Sequence, residues 1–307
     1  MKERDITTDS QRPPSIRILI SYISVFLIWG STYLAIRIGV RDIPPALLAG
    51  TRFLVAGLIM VVFGRLTGRQ FPSTFRDIRT LCVVGIFLLV AGNGLVVWSE
   101  QWIHSGLAAV IIATVPLFMS TIDSLIPGGH KLPPIGWLGI VIGFAGVVVL
   151  VSPSLGLAQG EQMELAGIVG LVLASFFWSI GSVYSTRNPV NADILVVTGI
   201  EMLAGGIVLT VVALMTGEVY VARATTAGLL SLLYLIIFGS IVGFTAYAYL
   251  LKHVPAAKAS TYAYVNPIVA VILGAILLSE PIDLRTILAT LIILGGVGLV
   301  QLARTRE

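Results

Sequence analysis

Ten apolar segments, joined by short polar connectors, limit what this chain can fold into. A helix needs roughly 20 apolar residues to cross a hydrocarbon core of about 30 Å. The segments occupy residues 18–36, 44–63, 78–99, 107–126, 134–151, 164–185, 193–215, 226–250, 256–279 and 284–302. The chain is 57% hydrophobic and only 11% charged, whereas a soluble domain carries about 25% charged residues. The sequence therefore predicts an all-α integral membrane protein with ten transmembrane helices.

Basic residues are distributed unevenly between the two sides that these helices would define. Of the 19 Lys and Arg residues, we place 14 on the side of the amino terminus, 4 on the other side and Arg52 inside the second helix. Because Lys and Arg are enriched in cytoplasmic loops, we expect a multi-pass protein of the cell (inner) membrane with both termini in the cytoplasm. The basic excess is then a topology signal, and no nucleic-acid partner is expected.

One hairpin of two apolar helices occurs twice. Residues 85–119 align with residues 236–270 without gaps at an offset of 151, and the identical positions include Pro116 with Pro267. An interior proline removes a backbone hydrogen bond, and irregular backbone at membrane depth is tolerated only against protein or a water-filled cavity. We therefore expect both prolines to break their helices and the two hairpins to form the walls of a path.

The duplication extends beyond the hairpin. Offsets of 149 and 152 align the flanking helices, so residues 18–151 and 164–302 form two five-helix repeats. Residues 1–17 and 303–307 would be cytoplasmic tails, and residues 152–163 a linker. Because five is odd, the second repeat must enter the membrane from the opposite face. Inverted repeats are typical of secondary transporters, whose substrate site lies between them; a duplication that merely enlarged a bundle is the alternative.

Aromatic, polar and proline positions near the middle of the membrane define a candidate substrate cavity. We expect the first, third, fourth, sixth, eighth and ninth helices to line it, and the fifth and tenth helices to pack peripherally. The candidate residues are Trp29, Tyr33, Asn93, Pro116, Trp178, Tyr262, Tyr264, Asn266 and Pro267. Such a set suits a small amphipathic ligand. For each aromatic residue, packing against lipid is the alternative, and Tyr247 and Tyr249 are placed outside the lining.

Two opposite charges are predicted near the midplane. Arg52 and Glu201 each lie eight residues into their helices, from opposite faces, and are equivalent at the repeat offset of 149. Ionisable residues at this depth are costly unless they are paired or hydrated. The pair could contact substrate or a coupling ion, or it could hold the repeats together through a salt bridge or separate hydrogen bonds.

Several further features have both a functional and a structural interpretation. Glu100, Gln101 and His104 follow the third helix and would form either a polar outer mouth or a solvated loop. Glycines recur on the faces of the fifth, eighth and tenth helices, which favours close helix packing. These glycines are Gly136, Gly139, Gly143, Gly146, Gly239, Gly243, Gly295 and Gly298.

Known catalytic motifs are missing from the sequence. It contains no Walker A pattern, no Gly-x-Ser-x-Gly, no His-Glu-x-x-His and no Cys-x-x-Cys. The three histidines do not have metal-ligand spacing, and the single cysteine, Cys82, cannot form an intramolecular disulfide. We expect no catalytic residue, no metal site, no cofactor and no enzymatic activity.

Short segments across the chain resemble the EamA family of the drug/metabolite transporter (DMT) superfamily. They are 28–33 (IWGSTY), 91–94 (AGNG), 113–118 (ATVPLF), 200–204 (IEMLA) and 262–267 (YAYVNP). The resemblance implies a ten-helix, two-repeat fold and export of small metabolites or drugs. Four-helix multidrug members of the superfamily exchange protons at a glutamate in their first helix. This chain has no acidic residue in its first helix, so the resemblance does not imply that this chain exchanges protons in the same way.

The expected function is secondary active export of amino-acid-like or other amphipathic solutes by alternating access, with protons as a candidate coupling ion. The alternatives are a membrane enzyme and a passive channel or scaffold. An enzyme would need a clustered acid, base or metal set at an interface, whereas the candidate residues here are scattered. A monomer or weak dimer in the lipid bilayer is expected.

Overall fold

The computed structural model describes residues 15–151, 159–254, 259 and 261–304. Within those ranges the regular secondary structure is helical, without strands. The long helices are α1 Ile16–Gly39, α2 Pro45–Leu66, α3 Phe75–Ser99, α4 Ser105–Leu125, α5 Pro134–Leu150, α6 Gln162–Arg187, α7 Ile194–Met215, α8 Thr226–His253, α9 Tyr262–Leu278 and α10 Leu284–Ala303. Eight are long and apolar enough to cross a membrane, and α5 and α9 are shorter apolar helices.

The predicted apolar segments coincide with these helices to within a few residues, and local capping explains several ends. Pro45 occupies the first turn of α2, where its missing N–H has no intrahelical partner to lose. The side chain of Thr74 accepts a hydrogen bond from the Asp77 amide at 3.1 Å, at the start of α3. Asp193 caps α7 in the same way, accepting from the Leu195 amide at 3.0 Å. Such caps fix where each helix begins.

Connections from the two halves of the chain meet in pairs at the ends of the bundle. Where α1 begins, the amide of Asp193 donates to the carbonyl of Gln70 at 2.9 Å, which joins the α6–α7 and α2–α3 connections. At the other end the amide of Arg223 donates to the carbonyl of Asp42 at 2.8 Å. We call these the amino-terminal end and the opposite end.

Helices α2 and α7 cross at glycines. A Cβ atom on Gly57 would lie 2.8 Å from the carbonyl oxygen of Gly199, and one on Gly206 would lie 2.5 Å from the amide nitrogen of Leu54. Gly50 is equally close to Thr210. The contact pattern maps onto itself when the repeats are exchanged, since Gly50 aligns with Gly199 and Gly57 with Gly206. Only residues without a side chain allow the backbones this close.

Helices α5 and α10 pack chiefly on each other, at the edge of the bundle, as expected. A Cβ on Gly139 would lie 2.6 Å from the carbonyl oxygen of Gly296. The prediction that Gly295 and Gly298 form the packing face of α10 is wrong, because a Cβ at either position would meet nothing within 4 Å. The contact residue is their neighbour Gly296, since helical periodicity turns adjacent positions to different faces.

The two repeat-related prolines have different effects. Helix α4 is interrupted at Ala113 and Thr114, and Pro116 lies in the first turn of the helix that follows. Helix α9 runs from Tyr262 to Leu278 with Pro267 inside it. The expectation of a break is therefore confirmed for Pro116 and wrong for Pro267, where the helix continues on both sides of the proline.

Some sequence-based assignments fall partly outside the described residues. These are residues 1–14 of the amino-terminal tail, 152–158 of the linker, 255–258 and 260 in the second hairpin turn, and 305–307 of the carboxy-terminal tail.

Candidate functional site

A small cavity lies in the middle of the bundle, which we call the central cavity. It has a volume of about 50 Å³ and is lined by buried or half-buried side chains. Its walls come from the six helices that the sequence indicated, α1, α3, α4, α6, α8 and α9, and also from α2. The lining residues are Trp29, Thr32, Tyr33, Ile36, Arg52, Gly92, Asn93, Val96, Ile112, Val115, Ala174, Trp178, Phe244 and Tyr262.

Five of the nine candidate cavity residues meet at this cavity: Trp29, Tyr33, Asn93, Trp178 and Tyr262. The other four do not line it. Pro116, Pro267 and Asn266 are buried in the protein, and Tyr264 is half-buried. With its amide group oriented to satisfy its neighbours, Asn266 donates to the carbonyl of Phe26 at 3.0 Å. Its polar group therefore joins α9 to α1 instead of facing a ligand.

Aromatic rings form most of the wall around Trp29. Trp178 and Tyr262 stand edge-on to it, with centroid separations of 5.6 and 5.1 Å, and Phe244 lies 5.1 Å away. The indole nitrogen of Trp29 donates to the carbonyl oxygen of Gly239 at 3.2 Å, which fixes the ring against α8. Edge-to-face packing of this kind stabilises the cluster beyond the burial of its area, and it presents a rigid apolar surface to the cavity.

Arg52 places a positive charge in the central cavity. Its Nε donates to the hydroxyl of Ser240 at 2.8 Å, and its Nη1 donates to the side-chain oxygen of Asn93 at 3.5 Å. The guanidinium carbon also lies 4.8 Å from the ring centroid of Phe53. The residue is only 1% exposed. These neutral partners hold the guanidinium in place, and no carboxylate of the described residues lies within hydrogen-bond distance of it.

A second and larger cavity opens toward the amino-terminal end, and we call it the amino-terminal cavity. Its volume is about 350 Å³, which lies within the usual range for small-molecule sites. It is bordered by α3, the end of α6, α7 and α8. The residues that line it are Thr80, Leu81, Val84, Leu88, Ser185, Thr186, Asn188, Pro189, Val190, Ala192, Ile194, Val197, Thr198, Glu201, Phe244, Tyr247, Ala248, Leu251 and Lys252.

Glu201 lines this larger cavity and not the central one. It is 8% exposed and makes no hydrogen bond or ion pair with any described residue. The salt bridge between Arg52 and Glu201, one of the alternatives that the sequence left open, is therefore absent among the described residues. Arg52 extends toward α3 and α8, whereas Glu201 extends toward the amino-terminal end, so equivalence in the repeats did not bring the two side chains together.

Phe244 lies between the two cavities, because its ring borders both. It is 4% exposed and packs against Trp29 and Trp178. The sequence placed Tyr247 outside the lining of the candidate cavity, and Tyr247 is not among the residues that line the central cavity. Tyr247 borders the amino-terminal cavity, is buried, and contacts the hydroxyl of Ser182 at 3.2 Å. One helical turn separates it from Phe244, so α8 turns both rings to the same side.

The three residues predicted to form a polar mouth have different environments. His104 is exposed, and Gln101 donates its amide to the carbonyl of Trp98 at 2.9 Å. Glu100 is fully buried, with 0% exposure. Burial raises the pKa of Glu100 well above its usual value, and the neighbouring Arg37 opposes that shift. Glu100 is therefore neither part of an open mouth nor part of a solvated loop.

Glu280 closes the opposite end, a role that the sequence did not indicate. Its carboxylate accepts hydrogen bonds from the Ser105 amide at 3.0 Å, the Ser105 hydroxyl at 2.8 Å and the Gly106 amide at 3.2 Å. The α9–α10 connection is thereby attached to the start of α4. A third cavity of about 160 Å³, the opposite cavity, lies beside this contact and is bordered by His104 and Glu164.

Sequence reasoning also missed three π-helical segments. They are Val25–Trp29 in α1, Ile86–Gly94 in α3 and Leu235–Val242 in α8. The segments in α3 and α8 lie at corresponding places in the repeats, and the segments in α1 and α3 border the central cavity. π-helical turns are frequent at functional sites, and here they carry Trp29, Asn93 and the Ser240 partner of Arg52. Composition does not distinguish such a segment from an α-helix.

Fold, cavities and sequence comparison together define the class. The model of the EamA-like transporter family matches residues 16–152 and 165–302, which cover most of the chain as two copies. The chain belongs to that family. It is a multi-pass membrane protein and a membrane transporter. Among the described residues, no group of three or more His, Cys, Asp or Glu side chains could hold a metal ion.

Several relatives match over nearly their whole length. The chain is 40% identical to the "Uncharacterized inner membrane transporter YedA" of Escherichia coli (strain K12), over 92% of this chain and 89% of that protein. It is 24% identical to the "Uncharacterized transporter YoaV" of Bacillus subtilis (strain 168), over 92% and 96% respectively. A solved crystal structure shares the fold with a TM-score of 0.64 at 21% identity, covering 94% of this chain and 99% of that one.

Proposed function

We propose that this protein is a secondary active transporter that exports small metabolites or drugs across the cytoplasmic membrane by alternating access. In this proposal ten helices cross the membrane as two inverted five-helix repeats, and both termini lie in the cytoplasm. The amino-terminal end of the bundle then faces the cytoplasm. The glycine crossing of α2 and α7 supports the inversion, because its contacts repeat when the two halves are exchanged.

The observation that carries the proposal is the asymmetry between the two ends of the bundle. A ligand-sized cavity reaches inward from the amino-terminal end, and Phe244 separates it from the central cavity. At the opposite end, Glu280 joins the α9–α10 connection to α4. A path that is open at one end and closed at the other is what alternating access requires of one state of its cycle. In this proposal the structure corresponds to a cytoplasm-open state.

The substrate we propose is small and amphipathic, such as an amino-acid-like solute. The aromatic wall around Trp29 would contact an apolar body, and the Arg52 guanidinium would hold an anionic or strongly polar group. At about 50 Å³ the central cavity holds water but no such solute. Substrate would first occupy the amino-terminal cavity beside Glu201, and movement of Phe244 would admit it to the centre.

Glu201 supplies the group for a proton or a cationic substrate on the cytoplasmic side. Its carboxyl lies in the wall of the larger cavity, and none of the described residues forms a hydrogen bond or an ion pair with it. An ionisable residue at this depth is a functional candidate, because no described partner offsets the free-energy cost of burying its charge. Protons are accordingly the candidate coupling ion.

A thermal-shift screen of the purified protein against amino acids, nucleosides and toxic organic cations tests the proposal first. Each compound that raises the melting temperature is then assayed for movement into proteoliposomes, with and without an imposed pH gradient. Saturable transport that the gradient drives uphill supports a secondary transporter. Non-saturable movement that only equilibrates the compound would instead identify a passive channel. Stabilisation without any movement would count against transport altogether.

A further inference from the structure

We propose that the carboxyl group of Glu100 is a second proton-binding site, which holds a proton while the opposite end is closed and gives it up when that end opens. The inference rests on the proposed transport function and adds to it a site on the face away from the cytoplasm. In the release step the O–H bond of the carboxylic acid breaks, the proton passes to water and the carboxylate remains.

The first observation is the position of Glu100. It follows the last residue of α3, at the turn that leads into α4, and it is 0% exposed. Both of its carboxyl oxygens are buried and have no hydrogen-bond partner among the described residues. An ionised carboxylate without solvent or a donor is strongly disfavoured. The protonated acid is the form that this closed site accommodates.

The second observation is the geometry of the neighbouring charges. Arg37 donates a hydrogen bond to the main-chain carbonyl oxygen of Glu100, not to its carboxylate. Arg52 also lies within electrostatic range of the carboxyl, as do Tyr33 and Glu280. The Glu280 carboxylate is already occupied by Ser105 and Gly106. These charges oppose one another, since Arg37 and Arg52 favour an ionised Glu100 and Glu280 disfavours it.

In the part of the chain that the structure describes, no further charged group acts on Glu100. Helix α6 packs on this turn through Gly167 and Gly170, whose added Cβ atoms would touch Ile103 and Ser99. His104, on the same turn, is exposed. The groups that act on Glu100 are therefore Tyr33 and Arg37 from α1, Arg52 from α2 and Glu280 from the α9–α10 connection.

The third observation is a route for the proton. The contact between Glu280 and the start of α4 closes the turn that follows Glu100, and the opposite cavity lies directly beside it. If this contact opens, water from that cavity reaches the carboxyl. Ionisation then becomes favourable, because Arg37 and Arg52 remain nearby to stabilise the carboxylate.

This site differs from Glu201 in its access. Glu201 borders a cavity that opens at the amino-terminal end, whereas Glu100 is sealed on the other side of the central cavity. Tyr33 and Arg52 line the central cavity and act on Glu100. Substrate bound at Arg52 would change the electrostatic potential at the Glu100 carboxyl. Proton release from Glu100 would therefore depend on whether substrate occupies the central cavity.

Infrared difference spectroscopy of the full-length protein in phosphatidylcholine vesicles tests the proton directly. Spectra are compared across about pH 5 to 9, a span that covers a raised carboxyl pKa. We expect a carbonyl band of a protonated acid that titrates in this range, disappears in Glu100→Gln and persists in Glu201→Gln and in the control Glu218→Gln, whose carboxylate lies away from the opposite cavity and accepts from the Leu47 amide. A band that Glu100→Gln leaves unchanged would overturn the proposal. If Glu100→Gln does not fold, Glu100→Asp must shift the band, and an unshifted band overturns it equally.

A distance measurement tests the link to opening. Spin labels at His104→Cys and Ile282→Cys, in a Cys82→Ser background, lie on the two walls of the opposite cavity. We expect the distance to lengthen as the pH rises and to remain short at all pH values after Glu100→Gln. A pH response that persists in Glu100→Gln contradicts the proposal. Because neither experiment uses a substrate, failure of the transport assays with a titrating Glu100 would refute the proposed function separately.

Discussion

Arg52 and Glu201 occupy equivalent positions in the two repeats, yet they belong to different cavities. Arg52 lines the central cavity and is hydrogen-bonded to Ser240 and Asn93. Glu201 lines the amino-terminal cavity and has neither a hydrogen bond nor an ion pair with a described residue. Two opposite charges that are equivalent in the repeats thus lie in two separate environments.

The two charges should be energetically independent. Arg52→Gln is expected to cost about 1.5–3 kcal/mol, the usual contribution of a hydrogen bond to a charged group. In a double-mutant cycle with Glu201→Gln, the effects on the free energy of unfolding should add to within about 0.5 kcal/mol. Unfolding in mixed detergent micelles measures both. A coupling energy well above that value would show that the two side chains interact directly.

Glu201→Gln should leave the protein as stable as the parent. No described residue loses a hydrogen bond or an ion pair in this change, and the amide keeps the shape of the carboxyl. Transport of a substrate identified in the thermal-shift screen should change its dependence on pH, because the contribution of Glu201 is lost while that of Glu100 remains. Melting temperature and transport are measured on the same preparation, with Glu218→Gln as the control, since Glu218 lines none of the three cavities described above. A variant that keeps the pH dependence of the parent would exclude Glu201 from coupling.

Phe244→Ala should connect the central and amino-terminal cavities. A cysteine placed at Val96, in a Cys82→Ser background, reports access to the central cavity, since Val96 is buried in its wall. Its reaction with N-ethylmaleimide should accelerate in Phe244→Ala.

The matched control is Phe238→Ala, because Phe238 lies on the same helix but is 44% exposed. Buried Phe→Ala changes cost about 3–5 kcal/mol, so Phe244→Leu provides a milder variant with the same expected direction. Equal labelling rates in both alanine variants would show that Phe244 does not separate the cavities.

Gly296→Ala should destabilise the α5–α10 pair, whereas Gly295→Ala should not. The added methyl group at 296 would contact the backbone of Gly139 and Gly143, whereas at 295 nothing lies within 4 Å. We expect a loss of about 1–3 kcal/mol in the first case and a gain of up to about 1 kcal/mol from helix propensity in the second. Thermal unfolding compares the stabilities of the two variants. If Gly295→Ala were the more destabilising change, α5 and α10 would have to meet through another face of α10.

Both termini should lie in the cytoplasm. The 14 basic residues assigned to the amino-terminal side, out of 19 in the chain, motivate this prediction. Alkaline phosphatase, which is active only outside the cytoplasm, is fused after Arg306 and, as a control, within the connection around Gly217. Activity should appear only in the second fusion. Strong activity after Arg306 would exclude ten crossings with both termini inside.

The sequence by itself determined the helical membrane class, the approximate helix boundaries and the duplication, because apolar length and periodicity are local properties of the chain. It also identified five residues of the central cavity, since aromatic and polar residues are unusual at that depth. Only the tertiary structure decided which way each helix is turned. It placed Glu201 and Tyr247 at the amino-terminal cavity, buried Glu100, directed Asn266 to α1 and turned Gly296 toward α5. A helix's rotation about its axis depends on contacts with helices distant in the sequence, and a pattern read along one segment does not contain those contacts.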